Sequence, residues 1–180
     1  NAAINALFLN LLKAAIWDRQ ADATLFRDLD EETWKRIFRL ARRQSVSALI
    51  ADKILSLPQE CLPPREQNAA LVSHMEQTRA RNLKMMDVLA TITDWYEEAG
   101  FPFVLLKGLA NGINYPEPLL RNPGDLDLWL YRKGDSKRAK TWLESKGYET
   151  IDGNGIHYIF TEQGIHIENH RRVSYFDHKK

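Results

Sequence analysis

Apolar residues recur at helical spacing through the first hundred positions. Ile4, Leu7, Phe8, Leu11, Leu12, Ala15 and Ile16 follow the i, i+3, i+4 rule. Asn5, Asn10 and Lys13 interrupt that run, which predicts a packed helix and not a signal peptide. A second helix is predicted from Asp30 as N-cap, with Glu31 and Glu32 at the positive end of its dipole. Trp34, Ile37, Phe38 and Ala41 form its expected buried stripe. "SVSALIADKILSLP" predicts a third helix stopped near Pro58, and "CLPP" a break. From about Arg65 to Ala99 the pattern is helical again, with Leu71, Val72, Met75, Leu83, Met86 and Leu89 on or near one face. Gly100 is its natural stop.

The period changes at Phe101. "FPFVLL" is a short β-rich run, "GLANGINY" a short helix beginning at Gly108, and "PEPLLRNPG" a loop whose prolines oppose regular structure. "DLDLWLY" alternates with period two and predicts a strand. "GDSKRAKTWLESKGY" predicts a helix with Ala139, Trp142 and Leu143 on its apolar side, ended by Gly147. "IHYIF" and "IHIENH" read as two strands flanking "TEQG", a hairpin turn. The expected class is α+β. A helical N-terminal region, 1–100, precedes a small α/β module with a mixed sheet, 101–180.

Composition narrows the function only at the margins. The chain has 180 residues, 44% apolar and 27% charged, enough for one or two domains with a real core. A net charge of +1 gives no broad nucleic-acid-binding surface. Cys61, the sole cysteine, excludes an intrachain disulfide and fits a reducing, cytoplasmic setting. No run of about 18 apolar residues predicts a membrane span. The chain begins without Met and ends in "YFDHKK", so a fragment of a longer protein is expected, with its second module incomplete at the C-terminus.

The candidate chemistry lies in the second module. On a strand, residues i and i+2 share a side, so Asp125 and Asp127 share one face with Trp129, while Leu126, Leu128 and Leu130 share the other. Two carboxylates this close repel unless a cation compensates them, and Mg²⁺ prefers oxygen ligands. Alternatively, Asp125 only starts the strand and Asp127 only faces water. "IHIENH" sets Ile165 and Ile167 on one face and His166, Glu168 and His170 on the other. Glu168 is then available as a third carboxylate on an adjacent strand. Three such groups are able to hold two Mg²⁺ ions about 4 Å apart. Lys107 and Gly108 sit at a strand-to-helix junction, where backbone N–H groups and an ammonium suit phosphate.

The stretch "FVLLKGLANGINYPEPLLRNPGDLDLWL", with the helix ending "KGY" and the later "HIENH", resembles the uncharacterised nucleotidyltransferase family. That family belongs to the DNA polymerase β-like nucleotidyltransferase superfamily, and the likeness spans roughly Phe101 to His170. The resemblance implies that Gly108 stands at the glycine element that cradles a triphosphate. It implies that Asp125 and Asp127 are the metal-binding pair, with Glu168 as third carboxylate. It implies, too, that Arg121, before the acidic pair, contacts phosphate or buttresses its loop. Two positions depart from the superfamily pattern: Leu109 follows the glycine where serine or glycine is usual, and the third acid is Glu. The family's longer members continue beyond this length.

The leading expectation is therefore Mg²⁺-dependent transfer of a nucleoside monophosphate from a nucleoside triphosphate, such as ATP, to a hydroxyl. The acceptor is a small molecule, a protein or an RNA end. Glu168, or Asp127 through a metal, helps deprotonate it, while Lys107, Gly108 and Arg121 hold the triphosphate. One alternative is a degenerate nucleotide-binding or protein-interaction module. Another is a metal-dependent hydrolase with His166, Glu168 and His170 as an H-x-E-x-H strand. "RLARR" reads as the solvated side of a helix, and Met75, Met85 and Met86 as core or interhelix filler.

Overall fold

The computed structural model describes residues 2–122, 124–153 and 155–173. The residues form two compact units. One comprises the chain up to Leu83 with Gly112–Asn122; the other comprises Lys84–Asn111 with the residues after Asn122.

The first unit holds helices α1 (Ala2–Ile16), α2 (Glu31–Arg43), α3 (Ser47–Leu55) and the start of α4 (Arg65–Ala99). Helix α2 begins where its cap chemistry puts it, since Asp30 Oδ1 accepts from the Thr33 N–H at 2.7 Å. Trp34 is fully buried, its ring stacked on Phe26 and on Phe38, each at 5.8 Å. Asn82, also fully buried, donates to the carbonyls of Leu119 and Arg121 and ties the proline-rich segment to α4. That segment is not wholly irregular. Pro118–Leu120 makes one 3₁₀ turn with Pro118 at its first position, where a missing N–H costs nothing.

The second unit is a five-stranded mixed sheet in the order β1-β2-β5-β4-β3. Its strands are β1 (Val104–Leu105), β2 (Leu126–Trp129), β3 (Ile151–Gly153), β4 (His157–Glu162) and β5 (Ile165–His170). Short α5 (Leu109–Gly112) starts in this unit after β1, and α6 (Asp135–Ser145) follows β2. Strand β3 is absent from the sequence expectation: three residues with a glycine carry no period of their own, and β4 supplies their pairing. Strands β2 and β5 are parallel, with Leu126 beside Ile167 and Asp127 beside Glu168. Strands β4 and β5 are joined by Gln163-Gly164, both at positive φ, the I′ geometry that matches strand twist.

Leu126, Leu128 and Leu130 are buried on the core face, each contributing roughly 2 kcal/mol by leaving water. They pack with Met85, Val88, Ile92 and Tyr96 of α4, with Ala139 and Leu143 of α6, and with Tyr158, Phe160, Ile165 and Ile167. This corrects half of the expected stripe of α4. Leu71, Met75 and Leu89 pack against apolar neighbours, but Val72, Leu83 and Met86 are about half exposed, and Met86 is no core filler. Met85, Val88, Ile92 and Tyr96 recur three or four residues apart and are fully buried, while the apolar residues Leu83 and Met86 beside them are not. Asn169 is fully buried in the same core, donating to the hydroxyls of Tyr96 at 2.5 Å and Tyr158 at 3.0 Å.

Candidate active site

The opposite face of the sheet collects the charges. Asp127 alternates with Leu126 and Leu128, so the pleat turns it away from the leucine core. It does not face water: its side chain is 2% exposed. A buried carboxylate needs charged or hydrogen-bonding partners, and Asp127 Oδ1 has two, Lys107 Nζ at 3.0 Å and His170 Nε2 at 3.0 Å. Lys107 arrives from the end of β1, whose pairing continues as the Leu106 N–H donates to the Asp127 carbonyl. Gly108 follows at φ +68, a left-handed turn that a side chain would strain.

Glu168 stands beside Asp127 in the β2–β5 register, on the same face. The His170 Nε2 that touches Asp127 also lies 3.3 Å from Glu168 Oε2. Asp125, just before β2, is partly buried. Asp125, Glu168 and His166 line one cleft of about 360 Å³, with Ile159 and Thr161 on its wall. The Lys107 ammonium registers all three acids. Its pKa is raised above 10.5, first by its hydrogen bond to Asp127; burial opposes the rise, and the charges of Asp127, Glu168 and Asp125 each add a smaller upward push. The three sequence-predicted carboxylates and Lys107 thus form one electrostatic cluster.

Arg121 belongs to the helical unit, where its guanidinium lies 5.8 Å from the centre of the Tyr115 ring. Trp129 is partly buried with its ring edge-on to Tyr131 at 6.0 Å. In the H-x-E-x-H reading, His166 does not join Glu168 and His170. It is exposed, with Nδ1 3.0 Å from Thr161 Oγ1. His157 of β4 joins them instead, Nε2 3.9 Å from Glu168 Oε2 and its ring 5.0 Å from that of His170. The sequence reading missed His157, although the signal was present. A two-residue turn pairs Glu162 with Ile165, and counting back along the hairpin sets His157 opposite His170. The expected tail "RRVSYFDHKK" lies outside the described residues from Ser174 onward. No helix among the described residues is long and apolar enough to cross a membrane.

A family model described as an uncharacterised nucleotidyltransferase matches residues 30–179. No curated protein and no solved structure gives a significant match.

Proposed function

The chain belongs to the uncharacterised nucleotidyltransferase family, and we propose that it moves a nucleoside monophosphate from a nucleoside triphosphate to a hydroxyl acceptor in a Mg²⁺-dependent reaction. The observation that carries this reading is the in-register pairing of Asp127 with Glu168, with the Lys107 ammonium held by Asp127 and biased by Glu168 and Asp125.

The donor set fits a hard divalent cation. Asp125, Asp127 and Glu168 offer carboxylate oxygens, and the cation among them, Lys107, is drawn by all three. These three residues would hold the ion, which when bound supplies charge neutralisation to the phosphates. Lys107 has an exposed side chain, free to reorient toward a triphosphate oxygen when Asp127 gains another partner. The turn at Gly108 lets the backbone approach the phosphates closely. Leu109 offers no hydroxyl there, so Lys107 carries the side-chain part of that contact. Arg121 acts as the buttress of its own loop, over Tyr115.

In the reaction the acceptor oxygen forms a bond to the α-phosphorus, and the bond from that phosphorus to the pyrophosphate oxygen breaks. Pyrophosphate leaves with the electron pair. Glu168, less buried than Asp127, takes the proton of the acceptor hydroxyl. Catalysis is then chiefly positioning and charge stabilisation.

The test is incubation with each labelled nucleoside triphosphate and Mg²⁺, beside a chain carrying Asp125→Ala and Asp127→Ala. Label transfer or pyrophosphate release that the double variant lacks supports the reading. Mg²⁺-dependent triphosphate binding without pyrophosphate release would replace it with the degenerate binding module. Neither binding nor release would remove both.

A further inference from the structure

His157 and His170 bring two nitrogen ligands to Glu168, which also belongs to the oxygen-only set. Two imidazole nitrogens and one carboxylate oxygen lie within 4.8 Å of one another. Glu168 Oε2 is the hub, 3.3 Å from His170 Nε2 and 3.9 Å from His157 Nε2. In a tetrahedral zinc site, with bonds of about 2.0–2.1 Å, neighbouring ligand atoms stand roughly 3.3 Å apart. Of the three ligand pairs, His170–Glu168 already meets that spacing, His157–Glu168 is longer at 3.9 Å, and the two imidazole nitrogens lie within 4.8 Å. The three side chains are 12–22% exposed, shielded yet reachable.

The backbone supports this grouping from two directions. His157 and His170 are directly paired across the antiparallel β4–β5 ladder, and Glu168 shares the face of His170 two residues away. Gly153 of β3 faces His157 in the neighbouring register. A Cβ built on Gly153 would lie 2.1 Å from His157 Nε2 and 2.3 Å from Cδ2. The absence of a side chain at this strand position is what admits the imidazole.

We propose that His157, Glu168 and His170 form a binding site for a nitrogen-preferring divalent ion of the Zn²⁺ class, with its remaining position open to water or a phosphate oxygen. Imidazole nitrogens suit zinc and its first-row neighbours, whereas Mg²⁺ takes oxygen. The inference does not rest on the transfer reading, but the two share Glu168: an ion held here occupies the carboxylate that would otherwise take the acceptor proton. Binding withdraws His170 Nε2 from Asp127, which keeps Lys107 as its partner.

The experiment uses chelator-treated, metal-free protein without nucleotide. Co²⁺ is added and followed by its visible absorption, then displaced with Zn²⁺, with Mg²⁺ in large excess as competitor. One Co²⁺ per chain is expected, in a four- or five-coordinate spectrum that Zn²⁺ abolishes and Mg²⁺ does not. His157→Gln weakens binding by at least about tenfold, Gly153→Ala weakens it through the displaced ring, and Asp125→Asn leaves it unchanged. Circular dichroism checks that each variant is folded. No Co²⁺ uptake, unchanged affinity in folded His157→Gln, or equal loss in Asp125→Asn overturns the proposal. Failure of nucleotidyl transfer with Co²⁺ binding intact would instead count against the transfer reading alone.

Discussion

The two faces of the β2–β5 pair each bury a polar group, and they satisfy it in opposite ways. On the core face Asn169 donates to Tyr96 and Tyr158, both fully buried themselves. The partners are neutral and enclosed, and burial pushes both tyrosine hydroxyls to higher pKa, which keeps them protonated. On the site face Asp127 is as deeply buried, but its cationic partner Lys107 is 66% exposed on its side chain. One cluster is closed and holds the fold. The other has a partner that is able to leave, which a binding site requires and a core forbids. Burial alone therefore does not separate these two polar groups; the exposure of the partner does.

Asp127→Asn should break the site face most severely. Transfer falls by about 10³-fold, while the urea midpoint changes little, because the amide still contacts His170 and the released Lys107 is already in water. A large loss of stability would reverse the roles assigned to the two faces. Asn169→Leu is the opposite case. It removes both donors to the tyrosine hydroxyls and should cost about 2 kcal/mol in urea unfolding, with the transfer activity of the remaining folded protein largely kept.

Lys107→Met comes next, with a drop in transfer of roughly tenfold to a hundredfold and a distinct pH signature. Lys107 has a folded-state pKa raised above 10.5, so its protonated form is favoured by the fold. Its contribution is fully present below pH 10.5 and is lost as pH rises through the folded value. Stability measured across that alkaline range should fall less steeply in Lys107→Met than in the unmutated chain. The smallest effect is expected of Tyr148→Phe. Burial, then the hydrogen bond and charge of Glu162, push the Tyr148 hydroxyl up from 10 to about 12. Between those values the unfolded chain loses the proton and the folded chain keeps it, so stability declines. Removing the hydroxyl should flatten that part of the slope without touching transfer.

Sequence patterns made the helices legible wherever a local signal was decisive. Asp30 capped α2 as its chemistry requires, and the alternation of "DLDLWLY" and "IHIENH" assigned the faces of both central strands. What was not legible depends on partners distant in sequence. Along helix α4 neighbouring apolar residues such as Met85 and Met86 differ completely in burial, and local period does not say which of the two packs in the core. Strand β3 exists because β4 offers it a ladder. The burial of Asp127 follows from Lys107 and His170 converging on it, and the alternation alone was equally compatible with exposure to water. His157 joined the charged face through hairpin register, a count that needs the turn length to be settled first.

The Gln163-Gly164 turn thus does more than reverse the chain. Strand β5 is a two-phase signal, with one phase written in Ile165, Ile167 and Asn169 and the other in His166, Glu168 and His170. The number of residues in the turn sets which phase meets which partner. A single inserted residue that shifted the β4–β5 pairing by one would drive Glu168 among the leucines and bring Asn169 out beside Asp127. Every side chain of the site would still be present in such a chain, and the site would be gone.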